Sequence, residues 1–271
     1  MLSNDEEILR PLRCFYGWVT RLSERRLTYS SDKLPSIAGL ASRIATTSNA
    51  TYIAGLWKED LLVGLSWSAK SIGSLTQVKD RAPSWSWASG DGNVQYLWCI
   101  LASSKFPASI RKNERLDLQV LSVSVNEKFP ETHGEVIDGR IEAEGWVQEG
   151  TIRLDPEGHA FHIDFDVHYA SDFEYTLDDC DEFNSSAETP HTCWLLRLTS
   201  IVANGASEQR RGPYILFLIL AEVETRANEF KRVGFAQVDG SLPKRRPFGM
   251  KFPNAESDLF ISRERKKINL V

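Results

Sequence analysis

Cysteine is scarce and scattered in this chain. Its 271 residues hold four, Cys14, Cys99, Cys180 and Cys193. No two stand in a Cys-x-x-Cys pair, which excludes a local zinc ribbon and a dithiol redox motif. Long apolar runs are also missing. The longest, Tyr214 to Val223 with Glu222 near its end, is too short to cross a bilayer as a helix. The first ten residues are polar and acidic rather than leader-like. There is no Gly-x-Ser-x-Gly elbow, no phosphate-cradling Walker loop and no Gly-x-Gly-x-x-Gly turn. These absences predict a cytoplasmic protein with free, mostly buried thiols, no membrane partner and no cofactor.

Charge is unevenly distributed. The net value is −5. Residues 128–190 carry 3 basic and 17 acidic groups, whereas residues 191–271 carry 14 and 8. The acidic middle repels phosphates, and the basic end lacks a recognised binding motif, so no nucleic-acid partner is expected. Lys244-Arg245-Arg246 and Arg263–Lys267 suit targeting or phosphate patches, and a solvated loop and a charged approach to an edge strand explain them as well.

What the chain does have is tryptophan, eight in all. An indole is costly to leave in water, so this count predicts a substantial packed core. Leu12, Phe15, Val19 and Leu22 share one helical stripe, predicting a helix over 11–22 with Pro11 in its first turn. Ile37, Leu40, Ala41 and Ile44 predict a second over 35–45, with Pro35 at its start. Leu61, Leu62 and Leu65 predict a third over 58–67.

After Trp85 the rhythm changes to that of strands. Candidates cover 94–101, 116–125 with a bulge near Val120, 140–147, 151–154, 160–169, 192–199, 214–223 and 230–238. The last two read as a hairpin, and 267–271 as a closing edge strand. Asp172–Pro190 is acidic and poor in apolar residues, and reads as a mobile loop. The predicted class is α+β. A short helical segment, residues 1–84, packs on a predominantly antiparallel β domain, residues 85–271, sandwich or barrel-like.

Two constellations invite a chemical reading. His162, Asp164, Asp166 and His168 alternate along one predicted strand, with His159 just before them. Neighbours on one strand face lie roughly 6.5–7 Å apart. The four therefore span about 20 Å, whereas zinc gathers its ligands at about 2 Å. The opposite face, Phe161 to Tyr169, is explained by half-burial alone. A hydrolase or metal-dependent enzyme built on this strand is the alternative reading. The second constellation is Arg81-Ala82-Pro83-Ser84-Trp85-Ser86-Trp87, in which an extended backbone would put Trp85 and Trp87 on one face. They suit either an aromatic platform or core packing beneath the helices, and core packing is the expectation.

Three phrases carry a family resemblance: Leu27–Ala41 (LTYSSDKLPSIAGLA), Tyr52–Leu62 (YIAGLWKEDLL) and Arg81–Gly92 (RAPSWSWASGDG). Their order and spacing over roughly 65 residues resemble fungal heterokaryon incompatibility (HET) domain proteins. Gly145-Trp146-Val147 and Phe230–Gly234 (FKRVG) are similar to that family's variable C-terminal region. The phrase positions that carry the resemblance are Asp32, Leu34, Pro35, Gly55, Leu56, Trp57, Asp60, Leu61, Arg81, Pro83, Trp85 and Trp87, with structural roles implied. The family's HET domain proper, marked by an LSYCWG-like phrase, lies upstream of these phrases, and no such phrase is present. The chain thus resembles the C-terminal portion of such a protein, truncated before its signalling module. The resemblance implies a non-catalytic, cytoplasmic interaction or regulatory protein of non-self recognition and programmed cell death. Its partner would be another protein of that system.

Overall fold

The computed structural model describes residues 4–71, 74–96, 114–130, 132–154, 161–164, 173–178, 191–202, 213–223, 226–239 and 265–271. Helix α1, Asn4–Ser23, buries Leu12, Phe15, Tyr16 and Val19 along one stripe. It begins well before the sequence-predicted start, so Pro11 lies inside the helix rather than in its first turn. There its ring removes one backbone hydrogen bond. Helix α2, Pro35–Ser48, starts on Pro35 as expected and buries Ile37, Ala41 and Ile44. Asn49 ends it in the left-handed conformation, φ 49°, a residue suited to that cap.

The third predicted helix is cut short. A 3-10 turn over Lys58–Asp60 leads into α3, which spans only Leu61–Leu65. Trp67 then lies in strand β3, Trp67–Ala69, rather than in the helix. The chain between α2 and the β domain also forms small ladders. β1 (Tyr52–Ile53) pairs with β2 (Leu56–Trp57). β4 (Thr76–Gln77) pairs with β5 (Gly90–Asp91). β3 pairs with β6 (Val94–Tyr96). Gly90 and Asp91 of the third phrase therefore belong to a strand. Trp85 sits in a turn and Trp87 opens a 3-10 turn, Trp87–Ser89, so the pair is not on an extended segment. Ser86 caps that turn by accepting from the Ala88 amide at 3.1 Å, a local bond that competes with strand geometry.

The remaining strands are β7 (Glu114–Leu116), β8 (Gln119–Glu127), β9 (Val136–Leu154), β10 (Phe161–Asp164), β11 (Phe173–Leu177), β12 (His191–Val202), β13 (Pro213–Glu222), β14 (Glu229–Asp239) and β15 (Arg265–Leu270). They form one nine-stranded, mostly antiparallel sheet, giving the α+β class read from sequence. The two strands expected over 140–154 are one 19-residue strand, β9. Along one edge β9 meets β8 and then β12. Along the other it meets β15 and then β10. Pairing thus runs from β9 through β15, β14, β13 and β12 and back to β9, a closed ring. A register shift between Val120 and Ser122 marks the predicted bulge. β13 and β14 form the predicted hairpin.

Two expectations need correction. β15 is not an edge. It pairs antiparallel with β9 and, over Glu229–Phe230, parallel with β14. Its Ile268 and Leu270 alternate into the core while Arg265, Lys266 and Lys267 stay exposed. The acidic stretch is not wholly a loop either. Its residues 173–177 form β11, paired with Phe235 and its neighbours on β14, because aromatic and apolar residues alternate there between the acids. Residues 179–190 lie outside the described residues. So do His159, Asp166, His168, residues 97–101 and Lys244–Arg246.

β13 explains how the layers meet. Its run Ile215–Leu220 is buried throughout, as expected of a strand covered on both faces. Leu216, Leu218 and Leu220 join the large core, which also holds Leu12, Phe15, Trp57, Trp85 and Trp87. Ile215, Phe217 and Ile219 join a second cluster with Ile152, Leu177, Cys193 and Leu195. The helical segment and the sheet therefore share one apolar interior.

Candidate functional site

The three phrases, separate in sequence, meet in space. Ala54 and Gly55 make the two-residue loop between β1 and β2, with φ 44° and 96°. Positive φ at both positions is the hairpin geometry that favours glycine. The carbonyl of Gly55 accepts from Trp87 Nε1 at 3.0 Å, and that of Ala54 from Ser86 Oγ at 2.6 Å. The second phrase is thereby tied to the third. A methyl group on Gly55 would lie 2.5 Å from Trp87 Nε1. The first phrase reaches the same segment through Lys33. Its ammonium donates to the Gly90 carbonyl and lies 5.6 Å from the Trp87 ring centroid.

Lys33 belongs to a charged cluster whose members all come from the first and third phrases. Arg81 Nε donates to the Ala88 carbonyl at 2.6 Å. Its Nη1 donates to Asp91 Oδ1 at 2.6 Å and to the Ser30 carbonyl at 3.1 Å. Ser30 Oγ donates to Asp91 Oδ2 at 3.0 Å, and Lys33 Nζ lies 3.9 Å from the same carboxylate. Burial, and secondarily the Arg81 charge, push the Lys33 ammonium down to about 8 against the opposing pull of Asp91. Burial raises the Asp91 carboxyl, but hydrogen bonds from Arg81 and Ser30 and the two cations outweigh it and hold the group below the usual range. A chain of fixed hydrogen bonds with a half-exposed carboxylate at its rim is the chemistry of a clamp.

A second knot fastens the phrases to the sheet. Arg232, on β14, is fully buried. Its Nε donates to Asp178 Oδ2 at 2.9 Å and its Nη1 to the Leu65 carbonyl at 2.8 Å. Nη2 donates to the Trp67 carbonyl. The guanidinium stacks on the Trp67 ring, whose Nε1 donates to the Trp85 carbonyl at 3.0 Å. Burial lowers the Arg232 pKa, and the Asp178 carboxylate opposes that shift. Ser84 completes the knot. It donates through its amide at 3.1 Å and through its hydroxyl to the Val271 carbonyl, and its Oγ accepts from the Arg232 amide at 2.9 Å.

Leu34, Leu56, Trp57, Leu61, Pro83, Trp85 and Trp87 are buried. Asp60 is buried with its carboxylate 3.4 Å from Arg13 Nε. Asp32 and Pro35 are exposed. The phrase residues that sequence reasoning singled out are thus mostly packed against one another. It passed over Lys33, Ser84, Asp91, Asp178 and Arg232, the polar residues that tie the phrases down. Lys33 and Asp91 stood inside quoted phrases, and Arg232 inside FKRVG. Asp178 carried no signal, because its partner is remote in sequence.

Beside Ser84 opens a cavity of ≈ 430 Å³, lined among others by Lys79, Asp80, Pro83, Asp138 and Val271. Both signs of charge stand at its rim. The Ser84 hydroxyl is committed on both its donor and acceptor sides, so it is not poised as a nucleophile. Among the described residues, no group of three or more His, Cys, Asp and Glu side chains is placed to hold a metal. On the predicted histidine strand, His162 lies opposite Arg153 of β9. Among the described residues no helix is long and apolar enough to cross a membrane. Comparison with protein-family models, with curated proteins and with solved structures returns no match.

Proposed function

We propose that this chain is a non-catalytic interaction and regulatory protein of the fungal heterokaryon incompatibility system. It acts in the cytoplasm, in non-self recognition and programmed cell death, through contact with another protein of that system. The resemblance of the three phrases supplies the system. The observation that carries the non-catalytic part is the bonding between phrases: Gly55 with Trp87, Lys33 with Gly90, and Ser30 with Arg81 and Asp91. The residues of the resemblance spend their polar groups on each other, which is what a scaffold for a binding surface requires.

Expression of this chain alone in a fungal host tests the reading. The expected result is unchanged viability, together with an altered outcome when genetically incompatible strains fuse. Killing by the chain alone, abolished by a single substitution that leaves folding intact, overturns it.

A further inference from the structure

Helix α1 presents two faces. The inward one is apolar. On the outward one, Arg10, Cys14, Trp18, Arg21 and Arg25 are exposed, with Arg25 just beyond the end of the helix. Steps of four, four and three residues place the first four in one row, and Arg25 follows it. From Arg10 to Arg21 the row covers about 17 Å at 1.5 Å per residue.

Trp18 is 54% exposed, although the buried indoles Trp57, Trp67, Trp85 and Trp87 show how readily this fold covers that side chain. Arg21 lies 5.5 Å from the Trp18 ring centroid, so the indole is held beside a cation rather than against apolar neighbours. Among the described side chains, no carboxylate forms an ion pair with Arg21 or Arg25. Two acids near the C-terminal end of the row are engaged elsewhere. Glu24 lies 3.3 Å from Lys70, and Asp60 is held by Arg13. Trp18, Arg21 and Arg25 therefore make a basic strip beside one large aromatic ring, whereas Arg10 has Glu6 and Glu7 one turn before it. Tryptophan and arginine are the residues that dominate binding energy at protein interfaces.

We infer that the outer face of α1 is a docking surface for an acidic, amphipathic segment of a partner protein. Glutamates or aspartates of that segment would pair with Arg21 and Arg25, and an apolar side chain would lie on Trp18. Guanidinium groups suit such carboxylates because two parallel hydrogen bonds can form. The inference deepens the interaction reading above by naming a surface and a partner chemistry. Its test is made in solution, without any component of the incompatibility system, so it can fail while that reading stands.

The probe is a labelled 16-residue helical peptide with Glu on one face flanked by Leu, measured against the full chain. Binding should weaken as salt rises, because the charges sit at the surface. Trp18→Ala should weaken it about tenfold or more, and Arg21→Glu with Arg25→Glu should abolish it. A peptide with Lys in place of Glu should bind that double variant and not the parent chain. Each variant changes only exposed side chains, and circular dichroism with thermal unfolding shows whether the fold is kept. Peptide binding that ignores both variants overturns the inference. So does failure of the charge-swapped peptide to recover binding. Absence of peptide binding alongside Arg21- and Arg25-dependent capture by anionic vesicles or duplex DNA also overturns it, and reassigns the strip to phosphate.

Discussion

The guanidinium carbon of Arg232 stands 3.3 Å from the ring centroid of Trp67, with both side chains fully buried. Arg232 arrives on a sheet strand and Trp67 from the chain that follows the helices. Their stacking, with the Asp178 ion pair at 2.9 Å, ties the two layers together. Removing one member of a buried ion pair leaves the other uncompensated, at a cost of about 3–5 kcal/mol. Arg232→Met should therefore lower the urea midpoint sharply. The combined change Arg232→Met with Asp178→Leu should recover part of that loss. Equal destabilisation of the single and double variants would show that the pair itself contributes little.

Gly55→Ala tests the link between phrases. Its φ of 96° suits only glycine, and the new methyl would meet Trp87 Nε1 at 2.5 Å. Backbone strain there costs about 1–3 kcal/mol, and overpacking adds about 1–3 kcal/mol. Chemical denaturation should show a loss within the sum of these ranges. The Trp87 side chain should also move, visible as a shift in tryptophan emission. A variant as stable as the parent would mean that this loop does not hold Trp87.

The Lys33 ammonium sits near 8, below its ordinary 10.5. Between those values the unfolded chain keeps a proton that the folded chain has released, so the contribution of this group to stability rises with pH across that window. Cys193 and Tyr52 act in the opposite sense, since burial raises both groups and stability is lost as they ionise on unfolding. The clean measurement is therefore the difference between the parent chain and Lys33→Met. Unfolding free energies from pH 7 to 10.5 should move in favour of the parent as pH rises. A flat difference would show that the Lys33 amine titrates as it would in water.

Cysteine reactivity should divide by position. Cys14 is exposed on α1, whereas Cys193 is buried in β12 and its thiol is pushed up to about 12 by burial and by Glu149. At neutral pH such a thiol holds about a thousandfold less of the reactive thiolate than an unperturbed one. Alkylation of the native protein followed by peptide mapping should label Cys14 and spare Cys193 until denaturant is added. Equal labelling would place Cys193 in contact with solvent.

Local chemistry made much of this fold legible. Pro35 and the Ile37–Ala41–Ile44 spacing announced α2 because a proline start and a single apolar stripe both act within a few residues. The break in alternation near Val120 announced the bulge for the same reason. The short third helix was misread because Leu61, Leu62 and Leu65 are followed by Trp67, whose position is decided by the remote Arg232 and Trp85 rather than by helical periodicity. β15 reads as an edge because three exposed cations make up its first half. Only the closed pairing shows that its apolar half, Ile268 and Leu270, is enclosed. The phrases were visible as words, but the bonds between them join residues as far apart as Ser30 and Asp91. Nothing in a linear pattern encodes that distance.

The ring of strands also sets a timetable for synthesis. β15 is the last described strand to leave the ribosome, and it carries most of the joint between β9 and β14. Until it emerges, those two strands present unpaired backbone, and Ser84 lacks the carbonyl of Val271 to which it bonds. A nascent chain of this protein therefore carries an open border on β9 from the time that strand is made until Arg265–Leu270 can join it, and its affinity for chaperones should fall once that segment is available.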